Sequence, residues 1–208
     1  IMANGQPEHI YFGKRIHDED SFDLYHEEVM RALMSVCVPE PGLLSMQYTQ
    51  QEYPSFGTGD YRNPAFSILQ KNGSRITEFR YVDHTVTPGK PSLLPLPATY
   101  TEDDSEAQTL RIRLHDDLLD TDLFLLYTIY DAYPVVTRSV RFEHHGPDPV
   151  ILDRAMSLSV EWPDMQFTMI SLAGGWARER YVKERKLEMG VTAVQGLTGT
   201  CGGSEHNP

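Results

Sequence analysis

The chain has 208 residues, 40% of them hydrophobic, with a formal net charge of −12 and a mean hydropathy of −0.41. That length is enough for one substantial core, and the acidic balance argues against a nucleic-acid backbone or an anionic membrane as partner. No apolar run reaches the roughly 18 residues that a membrane span needs.

The chain begins Ile1-Met-Ala-Asn-Gly5, without the basic start and apolar stretch of a signal peptide. Phe22, Tyr25, Val29 and Leu33 recur at helical spacing behind Asp20 or Ser21, which predicts one short helix. Cys37 and Cys201 form no C-x-x-C pair and read as reduced thiols of a cytoplasmic protein.

The segment Tyr53-Pro-Ser-Phe-Gly-Thr-Gly-Asp-Tyr-Arg-Asn-Pro-Ala65 is too rich in glycine and proline for a helix or a central strand. It gathers a carboxylate, a guanidinium, a carboxamide and aromatic rings, a set suited to a polyhydroxylated ligand. In an extended loop Asp60 and Arg62 face the same way. They can contact a sugar, as acceptor and donor, or brace the loop as a local ion pair.

Asn72-Gly73 marks a turn between Phe66–Leu69 and Ile76–Phe79, and this outweighs its match to a glycosylation sequon. Thr87–Pro97 carries four prolines and reads as surface coil. Leu110–Leu114 alternates as a half-buried strand, and Leu123–Tyr130 reads as a central strand covered on both sides. Val135–Phe142 and Val150–Trp162 follow as strands around the turn His144-His-Gly-Pro-Asp-Pro149, and Phe167–Leu172 as a short strand. Gly190–Pro208 reads as a loop. Strands at this spacing without intervening helices predict an all-β antiparallel sandwich or barrel.

Chemistry-bearing clusters are few. Asp103-Asp104 and Asp116-Asp117 read as solvated turn charges, because neighbours in a strand face opposite ways. His144-His145 lacks a cysteine or spaced acid partner, so no metal is expected, nor any cofactor. An isomerase reading needs a His and a Glu in one cleft, and His84, His115 and Glu143 show no spacing that links them. Trp176 and Arg178 follow a Gly-Gly pair; they suit either a sugar platform or a core Trp beside solvated charges.

The string Glu52-Tyr-Pro-Ser-Phe-Gly-Thr-Gly-Asp-Tyr-Arg-Asn-Pro-Ala-Phe66 resembles the N-terminal domain of glycoside hydrolase family 36, the α-galactosidases. Matches follow in order at Gly89-Lys-Pro-Ser-Leu93, Leu96-Pro-Ala-Thr-Tyr100 and Asp131-Ala-Tyr-Pro-Val-Val-Thr-Arg-Ser-Val-Arg141. Arg154-Ala-Met-Ser-Leu158, Gly175-Trp-Ala-Arg-Glu-Arg180 and His206-Asn-Pro208 complete the series. The stretch Thr200-Cys-Gly-Gly-Ser-Glu205 departs from the family pattern.

The resemblance implies an antiparallel β-supersandwich of the galactose-mutarotase type, with residues 1–208 one N-terminal domain of a larger enzyme. It implies retaining hydrolysis of α-linked galactose from oligosaccharides such as melibiose and raffinose. The catalytic carboxylates would sit on a (β/α)₈ barrel absent from this chain, which alone would be inert. The family's tetrameric members reach a loop of this domain into a neighbouring subunit. That makes Asp60, Arg62 and Asn63 candidate substrate contacts, with Trp176 and Arg178 behind them, and a homotetramer the expected assembly. The alternative is a stand-alone carbohydrate-binding or scaffold module.

Overall fold

Every strand pair is antiparallel in the computed structural model, which describes residues 1, 2, 4–14, 37, 38, 44–46, 49–57, 60, 62–162, 166–175 and 177–194. In chain order the strands are β1 (Cys37–Val38), β2 (Leu44–Ser45), β3 (Phe66–Leu69), β4 (Arg80–Pro88), β5 (Ala107–Asp116), β6 (Thr121–Tyr130), β7 (Val136–His144), β8 (Ile151–Ala155), β9 (Thr168–Gly175) and β10 (Arg178–Lys186). Among the described residues the only helical piece is a 3-10 turn at Asp104–Glu106, with Asp103 accepting from the Ser105 N–H at its start. The expected antiparallel β-sandwich is therefore what the chain forms. The helix expected near 22–33 lies outside the described residues, as do Trp176 and Cys201.

Contacts divide the chain into two units, Ile1–Glu161 and Trp162–Pro208. In the first, β4-β5-β6-β7 form a four-stranded sheet, and β3 pairs with β8. The β3/β8 pair covers one face of that sheet. Leu114, Leu123 and Leu125 project from the sheet to meet Ala65, Phe66 and Ile68. Phe66 is the hub, with its ring 5.4 Å from Tyr53 (stacked), 5.3 Å from Phe79 and 5.4 Å from Phe142. Each such ring pair contributes about 0.5–1.5 kcal/mol beyond its buried area.

The pairing register carries the inner face past this core. Leu110 pairs with Tyr127, and Tyr127 with Arg138; Gln108 pairs with Ile129, and Ile129 with Val136. A buried polar pair sits on the opposite face, where Thr109 Oγ1 and Thr128 Oγ1 are 2.8 Å apart.

β6 is the central strand the sequence implies, with Leu123, Phe124, Leu125 and Thr128 all buried. Other expectations need correction. The strand expected over 150–162 is formed only by Ile151–Ala155, where it pairs with β3. The Asn72-Gly73 turn forms, closed by the Gly73 N–H donating to Gln70 O at 2.9 Å with Gly73 at φ +84°, but Ile76–Phe79 is not a strand. β3 finds its partner in β8 instead. The coil expected from Thr87 starts two residues later, because Thr87 and Pro88 end β4. Pro88 is tolerated there because β4 is the sheet edge, where a missing donor costs no ladder bond.

Asp116 is not a solvated turn charge. It is buried at 2% exposure and accepts from the backbone N–H groups of Glu78, Leu118 and Leu119. Its neighbour Asp117 is 94% exposed.

The second unit contains the β9/β10 ribbon, whose register runs from Thr168 opposite Lys186 to Gly175 opposite Arg178, with an irregularity between Arg178 and Tyr181. β10 is charged along most of its length and exposed throughout, so hydrophobic alternation gave no sign of it.

Candidate functional site

The loop between Tyr53 and Ala65 is tied at both ends. The Ala65 N–H donates to Pro54 O at 2.8 Å, and Ser55 forms a bridge with Phe66. Gly57 sits at φ +95°, in the left-handed region, with Ile76 closing on the side where a Cβ would stand. This turns the chain so that the Asp60 N–H reaches Gly57 O at 3.2 Å. Thr58, Gly59 and Tyr61 lie outside the described residues.

Asp60 is the loop's buried anchor, 2% exposed. Its Oδ1 accepts from the Arg62 N–H at 2.9 Å and Arg62 Nε at 3.0 Å; its Oδ2 accepts from Gln51 Nε2 at 2.5 Å and Arg62 NH2 at 3.0 Å. Of the two roles the residues allow, the geometry displays the brace between Asp60 and Arg62.

Arg62 has more to offer than that bond. Its side chain is 37% exposed, its NH1 lies 2.9 Å from Glu161 Oε1, and its NH2 donates to Thr49 O at 2.7 Å. Burial works against the Arg62 charge, but the Asp60 and Glu161 carboxylates outweigh it and raise the guanidinium pKa. On the Glu161 side burial wins, and its pKa is raised despite the pull of Arg62.

Asn63 is exposed, and its Oδ1 accepts from Arg154 NH1. The structure thus brings Asp60, Arg62 and Asn63 together on one braced loop of the first unit. Arg178 opens β10 in the second unit, exposed and opposite Gly175.

The two histidines weighed for isomerase chemistry lie on opposite faces of the sheet, and only His115 shares a face with Glu143. His84 pairs with Ile112 and shares the core-side face, where its Nδ1 is 2.6 Å from Tyr81 OH. His115 pairs with Asp122 on the other face.

A second polar cluster of the first unit escapes any reading by spacing. Glu52 lies under a groove of about 1050 Å³, with an ordered partner on each side. His9 Nδ1 is 2.7 Å from Glu52 Oε2, Arg138 NH1 is 2.8 Å from Oε1, and Tyr127 OH donates to Oε1. The Arg138 guanidinium lies 5.1 Å from the Tyr53 ring centre and 4.7 Å from that of Tyr127. Burial pushes the Tyr127 hydroxyl far above the usual phenol range, helped by the Glu52 charge; burial lifts Tyr53 to about 12. The one legible signal is Arg138 at an inward position of an otherwise alternating strand, between Val136 and Val140. Its partners come from distant segments.

Among the described residues no helix is long and apolar enough to cross a membrane.

Comparison with known proteins gives one consistent answer. The model of the glycosyl hydrolase family 36 N-terminal domain matches residues 5–208. The chain is 38% identical over 206 residues to alpha-galactosidase AgaA of Geobacillus stearothermophilus, covering 99% of this chain and 28% of AgaA. It is 32% identical over 202 residues to alpha-galactosidase Mel36A of Lactobacillus acidophilus, covering 96% of this chain and 27% of that one. A crystal structure of an AgaA variant from Geobacillus stearothermophilus in complex with raffinose superimposes with a TM-score of 0.83 and 39% identity, over 91% of this chain and 26% of that one. The chain therefore spans a little over a quarter of the length of these relatives. It belongs to glycosyl hydrolase family 36 and corresponds to that family's N-terminal domain.

Proposed function

We propose that residues 1–208 form the N-terminal β-sandwich domain of an α-galactosidase. The whole enzyme would release terminal α-linked galactose, with retention, from oligosaccharides such as melibiose and raffinose. The observation that carries this reading is 38% identity to an α-galactosidase across 99% of the chain. The related structures crystallised with raffinose and stachyose support the substrate class.

In this reading bond cleavage belongs to a carboxylate nucleophile and a carboxyl acid/base on a barrel outside these residues. The domain itself supports that barrel, helps assemble a homotetramer in the cytoplasm, and lends substrate contacts. Asp60 fixes the loop, while Arg62 and Asn63 present donors and an acceptor to sugar hydroxyls of a neighbouring subunit. Trp176 and Arg178 are further contacts.

The test is galactose release from melibiose and raffinose by the intact protein, with the anomer followed by proton NMR. Release of α-galactose as the first product is expected. No release from either sugar, in a folded intact protein, overturns the reading.

A further inference from the structure

On the outer face of the four-stranded sheet, strand pairing sets His115, Asp122 and Glu143 in one row. His145 follows just after β7, where its backbone N–H donates to Asp120 O at 2.9 Å. Asp122 is the centre, with a side chain only 13% exposed. His115 Nδ1 lies 3.0 Å from its Oδ1, and His145 Nε2 lies 3.4 Å from its Oδ2. One ligand atom each from Asp122, Glu143 and His145 fall within 4.8 Å of one another. Ligands about 2.0–2.2 Å from a shared zinc ion stand roughly 3–4 Å apart. Small side-chain rotations would close this set around a cation.

The geometry points to a binding site for a divalent transition-metal cation of the zinc type, with Asp122, Glu143 and His145 as ligands. His115 is its positioning residue, holding Asp122 from behind as outer partners of metal ligands do. An imidazole with carboxylates favours zinc-type cations over magnesium or calcium, which take oxygen ligands alone.

The charges around the site fit a cation. Four carboxylates (Asp83, Asp117, Asp122, Glu143) share this face with three guanidinium groups (Arg111, Arg113, Arg141), of which Arg111 packs over the Phe124 ring. Arg113 is engaged by Asp83 at 2.6 Å and stands 4.0 Å from Asp122. Arg141 pairs with Glu143, but its side chain is 69% exposed, so releasing it to solvent costs little. His144 is not a ligand. Its Nδ1 is 2.8 Å from Thr121 Oγ1 and its Nε2 is 2.8 Å from Asp148 O. Metal bound here would tie the end of β7 and the turn after it to β6.

The experiment is calorimetric titration of the intact, chelator-treated protein with zinc chloride, with magnesium chloride as the comparison cation. Zinc is expected to bind saturably and raise Tm, and magnesium to do neither. His145→Gln and His115→Ala should each weaken the zinc affinity by about tenfold or more. His84→Ala, away from the site, should leave it unchanged. Circular dichroism of each variant separates lost binding from lost folding, and Asp122→Asn gives a second ligand deletion if one variant fails to fold. The proposal is overturned if zinc does not bind saturably, or if folded His145→Gln and Asp122→Asn bind it as the parent does.

Discussion

Arg138 and Glu52 are an ion pair at 2.8 Å, with side chains only 4% and 15% exposed. Arg138 lies on the β7 row that continues the core face, and Glu52 comes from the segment before β3. The Tyr53 and Tyr127 rings flank the guanidinium, and His9 and Tyr127 take up the rest of the carboxylate. Removing one member of a buried pair leaves the other uncompensated, at about 3–5 kcal/mol. Arg138→Ala should therefore lower unfolding free energy by that order, measured by urea denaturation. Arg138→Lys should recover only part of the loss, because an ammonium cannot match the planar guanidinium between two rings.

The buried phenols set a response to alkali. Tyr53 stays protonated in the fold up to about 12, above its unfolded value of 10.0, and Tyr127 is raised further. Above the unfolded value the native state holds more protons than the unfolded chain, so stability falls as pH rises. This contribution is fully present below pH 10.0 and for Tyr53 is lost as pH climbs toward about 12. The part of the tyrosinate absorbance that a Tyr53→Phe variant lacks should therefore rise together with loss of the near-ultraviolet circular dichroism signal. Tyr53→Phe should cost about 1 kcal/mol at neutral pH for its lost bond to Met156 O, and flatten the alkaline decline. Tyrosinate appearing fully before any unfolding would contradict this.

The candidate loop separates into anchor and presenter. Asp60→Ala strands the Gln51 and Arg62 donors around a buried position and should cost about 3 kcal/mol. Arg62→Ala takes the counter-ion from the buried Asp60 carboxylate and should cost a similar amount, with only the Gln51 side chain and the residue-62 N–H left to satisfy it. Asn63→Ala removes an exposed carboxamide and should change stability by no more than about 0.5 kcal/mol. Under the proposed function it should raise the KM of the intact protein for raffinose. An unchanged KM would limit Asn63 to its bond with Arg154.

Asp116 predicts a stability effect where its neighbour predicts none. Asp116→Ala would leave the Glu78, Leu118 and Leu119 N–H groups without their acceptor, at about 3 kcal/mol. Asp117→Ala should fall within about 0.5 kcal/mol. Hydrogen exchange at the Leu118 and Leu119 amides should accelerate only in the first variant.

The strands with one wet face were legible, because alternation is a local property. Leu110–Leu114 proclaims β5 in this way, whereas Leu123–Tyr130 proclaims β6 by its near-continuous apolar run, which is local too. β4 and β10 were not, because an edge strand and an exposed ribbon need no apolar stripe. The candidate loop was legible as a loop, from its glycines and prolines. Whether Asp60 and Arg62 brace it was not, because that depends on Gln51, Thr49 and Glu161 arriving from elsewhere.

The order of local residue types by itself determined the all-β character, the family resemblance and the placement of Asp60, Arg62 and Asn63 on one turn-rich segment. Only the tertiary structure decided which charges are buried. Asp116 and Asp117 are adjacent in sequence, yet one is enclosed by backbone donors and the other faces water. His145 has Glu143 two residues before it, and only cross-strand register carries Asp122, from β6, to their side. Burial and partnership are set by segments distant in the chain, and a sequence pattern records only its own neighbourhood.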